Sequence, residues 1–363
     1  MAEEYKKTPI HVHQSPPLDL SKPYDANWVK SRVIIVTGGA SGFGAGFVRK
    51  WASHGATVIV GDINVTKGDQ TVRQIRQETG NQNIHFVHCD VADWQSQVNL
   101  FKEAVRLSPH GGIDTVIANA GISHPEAMLM PSNLSVTEPK KPNFKIIDVN
   151  LYGVLYTAHL ALYWLQKNPG SKPCSPDTDP SKTPRDRHLM LIGSVASLAP
   201  IVGQPLYGTA KHGVLGLFRT LRTSSMIDGI RVTALFPYFI DTPMVDAGAR
   251  ILVLAGGPGL GKIEDVVDAG TRLVADSSIL GRGLMISPKI KAKQEESGEW
   301  VFVPKNSLEG SERAVWEVYA DDFEDSERFT QQMVKILNLF ARSKRWYGWF
   351  SDVIAAIRYG LFG

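Results

Sequence analysis

Arg32-Val33-Ile34-Ile35-Val36-Thr37-Gly38-Gly39-Ala40-Ser41-Gly42-Phe43-Gly44 is a short β-branched run that breaks into glycines. Val and Ile residues in unbroken succession read as a strand buried on both faces, as in a parallel sheet. From Gly42 to His54 the apolar residues Phe43, Phe47, Val48 and Trp51 recur at helical spacing, and Thr57-Val58-Ile59-Val60 reads as a second strand. The spacing Gly38-x-x-x-Gly42-x-Gly44 has a mechanical reason. Gly38 permits a tight turn, Gly42 lets the backbone approach a pyrophosphate, and Gly44 lets helix and strand pack closely. The helix N-terminus then offers free N–H donors and the positive end of its dipole to phosphates. A glycine run alone says little. Between a strand and a helix, with Ser41 inside the turn and another strand downstream, it points to a dinucleotide site.

The alternation continues outward. A polar helix is expected over about 66–78, a strand over 84–89, and a helix near 93–107 with Asp93 as its N-cap. A strand at 113–118, a helix near 144–166, a strand at 189–192, a helix near 205–224 and a sixth strand at 231–236 follow. Leu284–Ile286 would be a seventh strand and Trp300–Val303 an added arm. Strand and helix in turn argue for an α/β, doubly wound parallel sheet. Residues 1–30 read as a loosely ordered arm, because prolines and charges interrupt every apolar stretch. Residues 31–287 are expected to form the dinucleotide-binding domain, with a proline-rich surface insertion at 168–187. Residues 288–363 form a C-terminal extension with amphipathic helices.

The 363 residues are 43% apolar and 21% charged, an ordinary globular composition. Lys and Arg exceed Asp and Glu by 39 to 36, too small a bias for a nucleic-acid binder. Cys89 and Cys174 are too few for a disulfide scaffold or a cysteine-built zinc site, and no metal is expected. No apolar run approaches the roughly 18 residues that cross a bilayer. The expectation is a cytoplasmic protein.

Asp62 ends the second strand, 18 residues after Gly44, with Ile63 next to it. A carboxylate there accepts hydrogen bonds from ribose hydroxyls and repels a 2′-phosphate. The glycine loop holds no Lys or Arg to neutralise one. NAD is therefore the expected cofactor, with NADP the alternative. Asp90-Val91 would flank the adenine, and Asn119-Ala120-Gly121 would pass beneath the cofactor.

Tyr207 and Lys211 are four apart on a helix and share one face. A phenol has a pKa near 10, and a nearby ammonium favours its phenolate. Ser194 follows the fifth strand and can donate a hydrogen bond to a substrate oxygen.

With these residues in place the chain resembles the short-chain dehydrogenase/reductase family, from about Arg32 to Ile286. The resemblance implies a Rossmann-type, seven-stranded parallel sheet binding a nicotinamide cofactor. It makes Tyr207 the general acid/base and Lys211 the group that lowers its pKa and holds the nicotinamide ribose. Ser194 polarises the substrate oxygen, and Asn150 holds a water in a proton relay. Ile63, Pro237, Ile240 and Thr242 join the cofactor contacts. Gln204-Pro205 before Tyr207 is similar to the NAD-dependent hydroxyprostaglandin dehydrogenases, and alcohol dehydrogenases of fungal secondary metabolism are also similar. Gln204 is then a substrate contact. Tyr238 stands where the family commonly has glycine, which bears on the local backbone and places a ring beside the pocket. Members usually pair through the helices at 144–166 and 205–224, so a homodimer or homotetramer is expected.

The functional expectation is hydride transfer between NAD and a hydrophobic secondary alcohol or ketone. The alternatives are an NADP-dependent ketone reductase of a biosynthetic pathway and a non-catalytic NAD-binding scaffold. The pocket would be built from 123–126, 198–204, Tyr238 and a glycine-rich lid at 243–262. Ser326 would cap a helix carrying Phe329, Met333, Ile336, Leu337 and Phe340 on one face. Trp346, Trp349, Phe350, Val353, Ile354 and Ile357 mark a second such helix. Docking onto this protein's own body or a sister subunit is its first reading. Lys344 and Arg345 beside its aromatics also suit a membrane surface.

Overall fold

The computed structural model describes residues 14–123, 135, 137–138, 141–245, 247–256, 258–319, 328–336 and 339. The strands are β1 (Val33–Thr37), β2 (Thr57–Asp62), β3 (Ile84–His88), β4 (Thr115–Ala118), β5 (His188–Ile192), β6 (Arg231–Pro237), β7 (Gly283–Gln294), β8 (Trp300–Phe302) and β9 (Ser311–Val318). The helices are α1 (Gly42–Ser53), α2 (Val65–Thr79), α3 (Trp94–Leu107), α4 (Lys145–Ile147), α5 (Gly153–Gln166), α6 (Pro205–Ser224), α7 (Ala247–Gly256) and α8 (Ile263–Ala275). A π-helical turn, Asp148–Tyr152, joins α4 to α5 where one continuous helix was expected.

The sheet runs β3-β2-β1-β4-β5-β6-β7-β8, with β9 on β7. β1 to β7 are parallel. Strand order reverses between β1 and β4, and ligands of such sheets bind outside the carboxyl ends at that point. β1 explains the unbroken β-branched run. Ile34 and Val36 pack under α1 and α8, whereas Val33 and Ile35 pack under α3, α5 and α6. The Asp93 carboxylate accepts from Ser96 N, capping α3 as expected.

The residues after 287 first complete the sheet. β7 has 12 residues, far beyond the expected Leu284–Ile286. β8 and β9 both pair with it antiparallel, so the sheet has nine strands. The signal was a change of period. Lys289, Lys291 and Lys293 alternate with Ile290 and Ala292, the pattern of a strand covered on one face. Register shifts between Ile286 and Ile290, around Pro288, which has no N–H to give a ladder.

From residue 14 the N-terminal arm is docked rather than loose. Ser15 N donates to Leu280 O, the Tyr24 hydroxyl to Asp268 Oδ1 at 2.7 Å, and Val29 lies in the core. The ends of the 168–187 insertion are also structural. Asn168 donates to Asp114, and the buried Asp186 carboxylate accepts from Arg32 and Arg231. Its middle is solvated, as expected, around the turn Pro180–Lys182. No helix among the described residues is long and apolar enough to cross a membrane. The helix expected at 346–357 and the Ser326 cap lie outside the described residues.

Candidate active site

A cleft of about 670 Å³ opens at the carboxyl ends of the parallel strands. Its floor begins at the glycine turn. Gly38 and Gly42 have φ of +65° and +52°, values that favour glycine. A Cβ on Gly42 would meet nothing within 4 Å, so the space above it is open to a ligand. A Cβ on Gly44 would lie 2.3 Å from Gly38 O, so this glycine is fixed by packing and lies beneath the cleft. Ser41 caps α1 by position, but its side chain makes no capping bond. The first N–H groups of α1 therefore face the cleft beside Ser41, Gly42 and Phe43.

The turn is held from below. Asn119 Nδ2 donates to Thr37 O and Gly38 O, and Thr37 Oγ1 accepts from Asn119 N and Ala120 N. Thr37 escaped the sequence reading because a threonine closing a strand has no distinctive spacing. Asp62 lines the cleft with Ile63. Its carboxylate accepts from Ala40 N at 3.0 Å and Asn64 N at 2.9 Å, which fixes it across the mouth of the turn. Asp90, Val91, Ala120 and Gly121 line the same cleft. Open N–H donors, a glycine-cleared approach and a fixed carboxylate fit the phosphates and ribose of a nicotinamide dinucleotide.

Ser194, Tyr207 and Lys211 come together on the cleft, as the sequence required. Ser194 Oγ accepts from Ala196 N, which turns its proton toward other acceptors. Ser194 N donates to Ser197 Oγ, and Ser197 Oγ donates to Lys211 O at 2.7 Å. Ser197 thus ties the loop after β5 to α6. The spacing Ser194-x-x-Ser197 is a capping box and was available as a signal. Lys211 Nζ donates to Ile192 O at 2.9 Å and stands 5.7 Å from the Tyr207 ring centre.

The electrostatics differ from the expectation. Burial pushes the Tyr207 phenol up, and a hydrogen bond with Ser194 draws it back in part. Burial also lowers Lys211 to about 8. Lys211 does not dominate the phenol, because its ammonium is itself desolvated and bonded to a backbone carbonyl. The Asn150 side chain bonds to backbone. Its Oδ1 accepts from Ile122 N and its Nδ2 donates to Ile122 O, both at 2.8 Å. The side chain braces the chain after β4 against the π-helical turn and does not itself line the cleft.

Pro237, Ile240, Thr242 and Gln204 line the cleft. Tyr238 does so without strain. Its N–H donates to Ile286 O at 2.8 Å, its φ is not positive, and its ring packs edge-on against Phe239. Of the expected substrate wall, Ile201 lines the cleft, whereas Leu198 packs into the core and Val202 is fully exposed. Ser123 also lines it, and residues 124–126 lie outside the described residues. The lid region contains α7, and a bridge between Ile240 and Gly261 brings its ends together.

The profile of the short chain dehydrogenase family matches residues 32–172 and 185–250, leaving out the middle of the insertion. A 5′-hydroxyaverantin dehydrogenase of Emericella nidulans is 35% identical over 289 residues, covering 75% of this chain and 89% of that protein. An NADP-dependent dehydrogenase of a Phoma species is 31% identical, covering 74% and 78%. The mouse 15-hydroxyprostaglandin dehydrogenase [NAD(+)] is 27% identical, covering 60% and 71%. Among solved structures, levodione reductase aligns with a TM-score of 0.58 at 22% identity, covering 71% of this chain and 96% of that one, a likeness of fold. With the profile, the glycine turn and the Ser194–Tyr207–Lys211 convergence in agreement, the chain belongs to the short-chain dehydrogenase family, whose members are oxidoreductases of hydroxyl and keto substrates.

Proposed function

We propose that this oxidoreductase moves a hydride between NAD and the carbinol or carbonyl carbon of an apolar secondary alcohol or ketone, with Tyr207 transferring the proton. The convergence of Ser194, Tyr207 and Lys211 on one cleft carries the reading. A bound nicotinamide supplies the hydride chemistry. The chain's own residues do the rest. Gly38, Ser41, Gly42, Phe43, Asp62, Ile63, Asp90, Val91, Asn119, Ala120 and Gly121 would hold the adenosine and phosphate end. Pro237, Ile240 and Thr242 would hold the nicotinamide end.

Ser194 accepts from Ala196 N–H and shares a hydrogen bond with Tyr207, so its hydroxyl would turn from the phenol to a substrate oxygen placed between them. The Tyr207 hydroxyl gives its proton to a ketone oxygen, or as phenolate takes one from an alcohol. With Lys211 at about 8, most of its ammonium is charged at neutral pH, and that charge favours the phenolate. Ile201, Tyr238, Phe239, Met244 and Val245 make the wall apolar, and Gln204 adds a polar contact. Exposed Tyr152 and Tyr163, at the start and along α5, support pairing into a homodimer or homotetramer.

Reduced-nicotinamide absorbance with a panel of cyclic and aliphatic secondary alcohols tests the reading. Turnover should favour the apolar members, with a lower KM for NAD than for NADP. Asp62→Ala should narrow or invert that preference by about tenfold or more, since it removes a charge beside the ribose site. A wild type that prefers NADP would overturn the cofactor assignment. A protein that binds NAD and turns over neither alcohols nor ketones would favour the scaffold reading.

A further inference from the structure

Ser197 is 1% exposed, and its one hydroxyl joins two parts of the site. Its Oγ accepts from Ser194 N at 3.2 Å and donates to Lys211 O at 2.7 Å. The first bond belongs to the turn Val195–Ser197, where Ser194 and Ser197 form a capping box. Capping accounts for that bond alone. The second leaves the turn and reaches a carbonyl 14 residues on, inside α6. A carbonyl inside a helix already has a donor four residues ahead of it, so it does not call for another. The backbone makes room for this bond. A Cβ on Gly193 would lie 3.0 Å from Ser197 Oγ, so the residue before Ser194 stays small where the hydroxyl passes.

Two bonds therefore tie the segment 192–197 to Lys211. Its carbonyl receives Ser197, and its Nζ donates to Ile192 O at 2.9 Å. Ser194 lies between the two ties, with its N–H on Ser197 and its Oγ on Ala196 N. The ties are unlike. Lys211 falls to about 8, so the bond through Nζ is made by a group that titrates near neutral pH. The same ammonium is the group expected to hold the nicotinamide ribose. A serine hydroxyl carries no charge and keeps its proton through that range. The Ser197 bond thus holds one geometry whichever state Lys211 is in. Ser194 and Tyr207 must both reach one substrate oxygen, and a displacement of about 1 Å between such groups costs roughly 10² in rate.

We propose that Ser197 is a positioning residue for proton transfer, its hydroxyl fixing Ser194 against the turn of α6 that carries Tyr207 and Lys211. Ser197 does not itself line the cleft and acts through Ser194. The inference rests on the reading of Ser194 and Tyr207 as the pair that shares the substrate oxygen.

Initial rates with NAD and 2-octanol, cyclohexanol or 1-phenylethanol test this, kcat being read on the alcohol turned over fastest and counted per cofactor-binding site. Ser197→Ala should lower kcat at least about tenfold and leave the KM for NAD within about twofold. Ser197→Cys fills nearly the same space with a weak donor and should lose at least about threefold, which decides the matter if the Ala variant does not fold. In a Ser194→Ala background, Ser197→Ala should cost less than about twofold more, because the group it positions is already gone. Wild-type kcat in either single variant, whatever its thermal midpoint, would mark a merely structural bond and overturn the proposal. So would equal losses from Ser197→Ala with and without the Ser194 hydroxyl. Tyr207→Phe separates the two ways of failing. If it is inactive while Ser197→Ala is unimpaired, the inference alone fails. If it keeps the wild-type rate, or if wild type turns over none of the alcohols, the hydride-transfer reading fails and takes the inference with it.

Discussion

The two rims of the sheet hold buried charge under different terms. At the amino rim, Asp186 lies within hydrogen-bonding distance of Arg32 and Arg231, at 2.8 and 2.7 Å. Asp114 likewise receives Arg185 at 2.9 Å. Burial alone would raise the Asp186 carboxyl, but the Arg231 and Arg32 guanidinium groups hold it well below the usual range. At the carboxyl rim, Lys211 is as deeply buried yet has no carboxylate partner among the described residues, only the Ile192 carbonyl. It falls to about 8, and the Tyr207 phenol beside it rises. Paired charge fixes a structure in one state. The unpaired Lys211 ammonium is left with a proton that moves near neutral pH, whereas burial takes the Tyr207 phenol away from that range, and groups shifted in this way mark a place for chemistry.

Three substitutions set one rim against the other. Tyr207→Phe should have the largest effect, a loss of about 10²–10⁴ in turnover. Cofactor binding, read by fluorescence titration, should be unchanged, and so should stability. A variant that keeps half the wild-type rate would remove the phenol from its role. Asp186→Asn comes next and acts on folding. It strands two buried guanidinium groups, which should cost about 3–5 kcal/mol in denaturant unfolding. The rate per folded molecule should stay within about twofold, because the residue lies at the rim away from the cleft.

Lys211→Met should lower turnover by roughly 10²-fold while raising stability by about 1–3 kcal/mol at pH 7, since it removes a desolvated ammonium. Its sign with pH is specific. The folded pKa of about 8 lies below the ordinary 10.5, so between those values the unfolded chain binds more protons. Wild-type stability should therefore gain a contribution that grows with pH across that window, and the Met variant should lack it. Equal pH slopes in the two proteins would show that Lys211 is not desolvated.

Much of this contrast was legible in the chain. The Val33–Val36 run, the glycine spacing, Asp62 and the Tyr207–Lys211 pair each act through local geometry, and local geometry is what spacing encodes. The glycine turn, Asp62, Ser194, Tyr207 and Lys211 met at one cleft because strand ends in a parallel sheet converge there. What escaped depends on distant partners. Asp186 and Arg185 sit in a proline-rich insertion that reads as a solvated loop, and only the folded sheet brings Arg32 and Arg231 to Asp186 and Asp114 to Arg185. The bonds of the Asn150 amide to Ile122, 28 residues away, are of the same long-range kind. β9 was missed because Ser311–Val318 mixes Glu and Arg with Val and Trp, and its pairing with β7 is a long-range event.

The account stands or falls on the pH–rate profile of the wild-type enzyme followed in both directions at saturating cofactor. Alcohol oxidation needs the phenolate, and ketone reduction needs the phenol. With the Tyr207 phenol raised by burial, kcat/KM for oxidation should climb by up to about tenfold per unit from neutral into alkaline pH, while that for reduction holds level and then falls. Profiles flat across that range in both directions, or an oxidation rate that falls as pH rises, would contradict proton transfer by Tyr207.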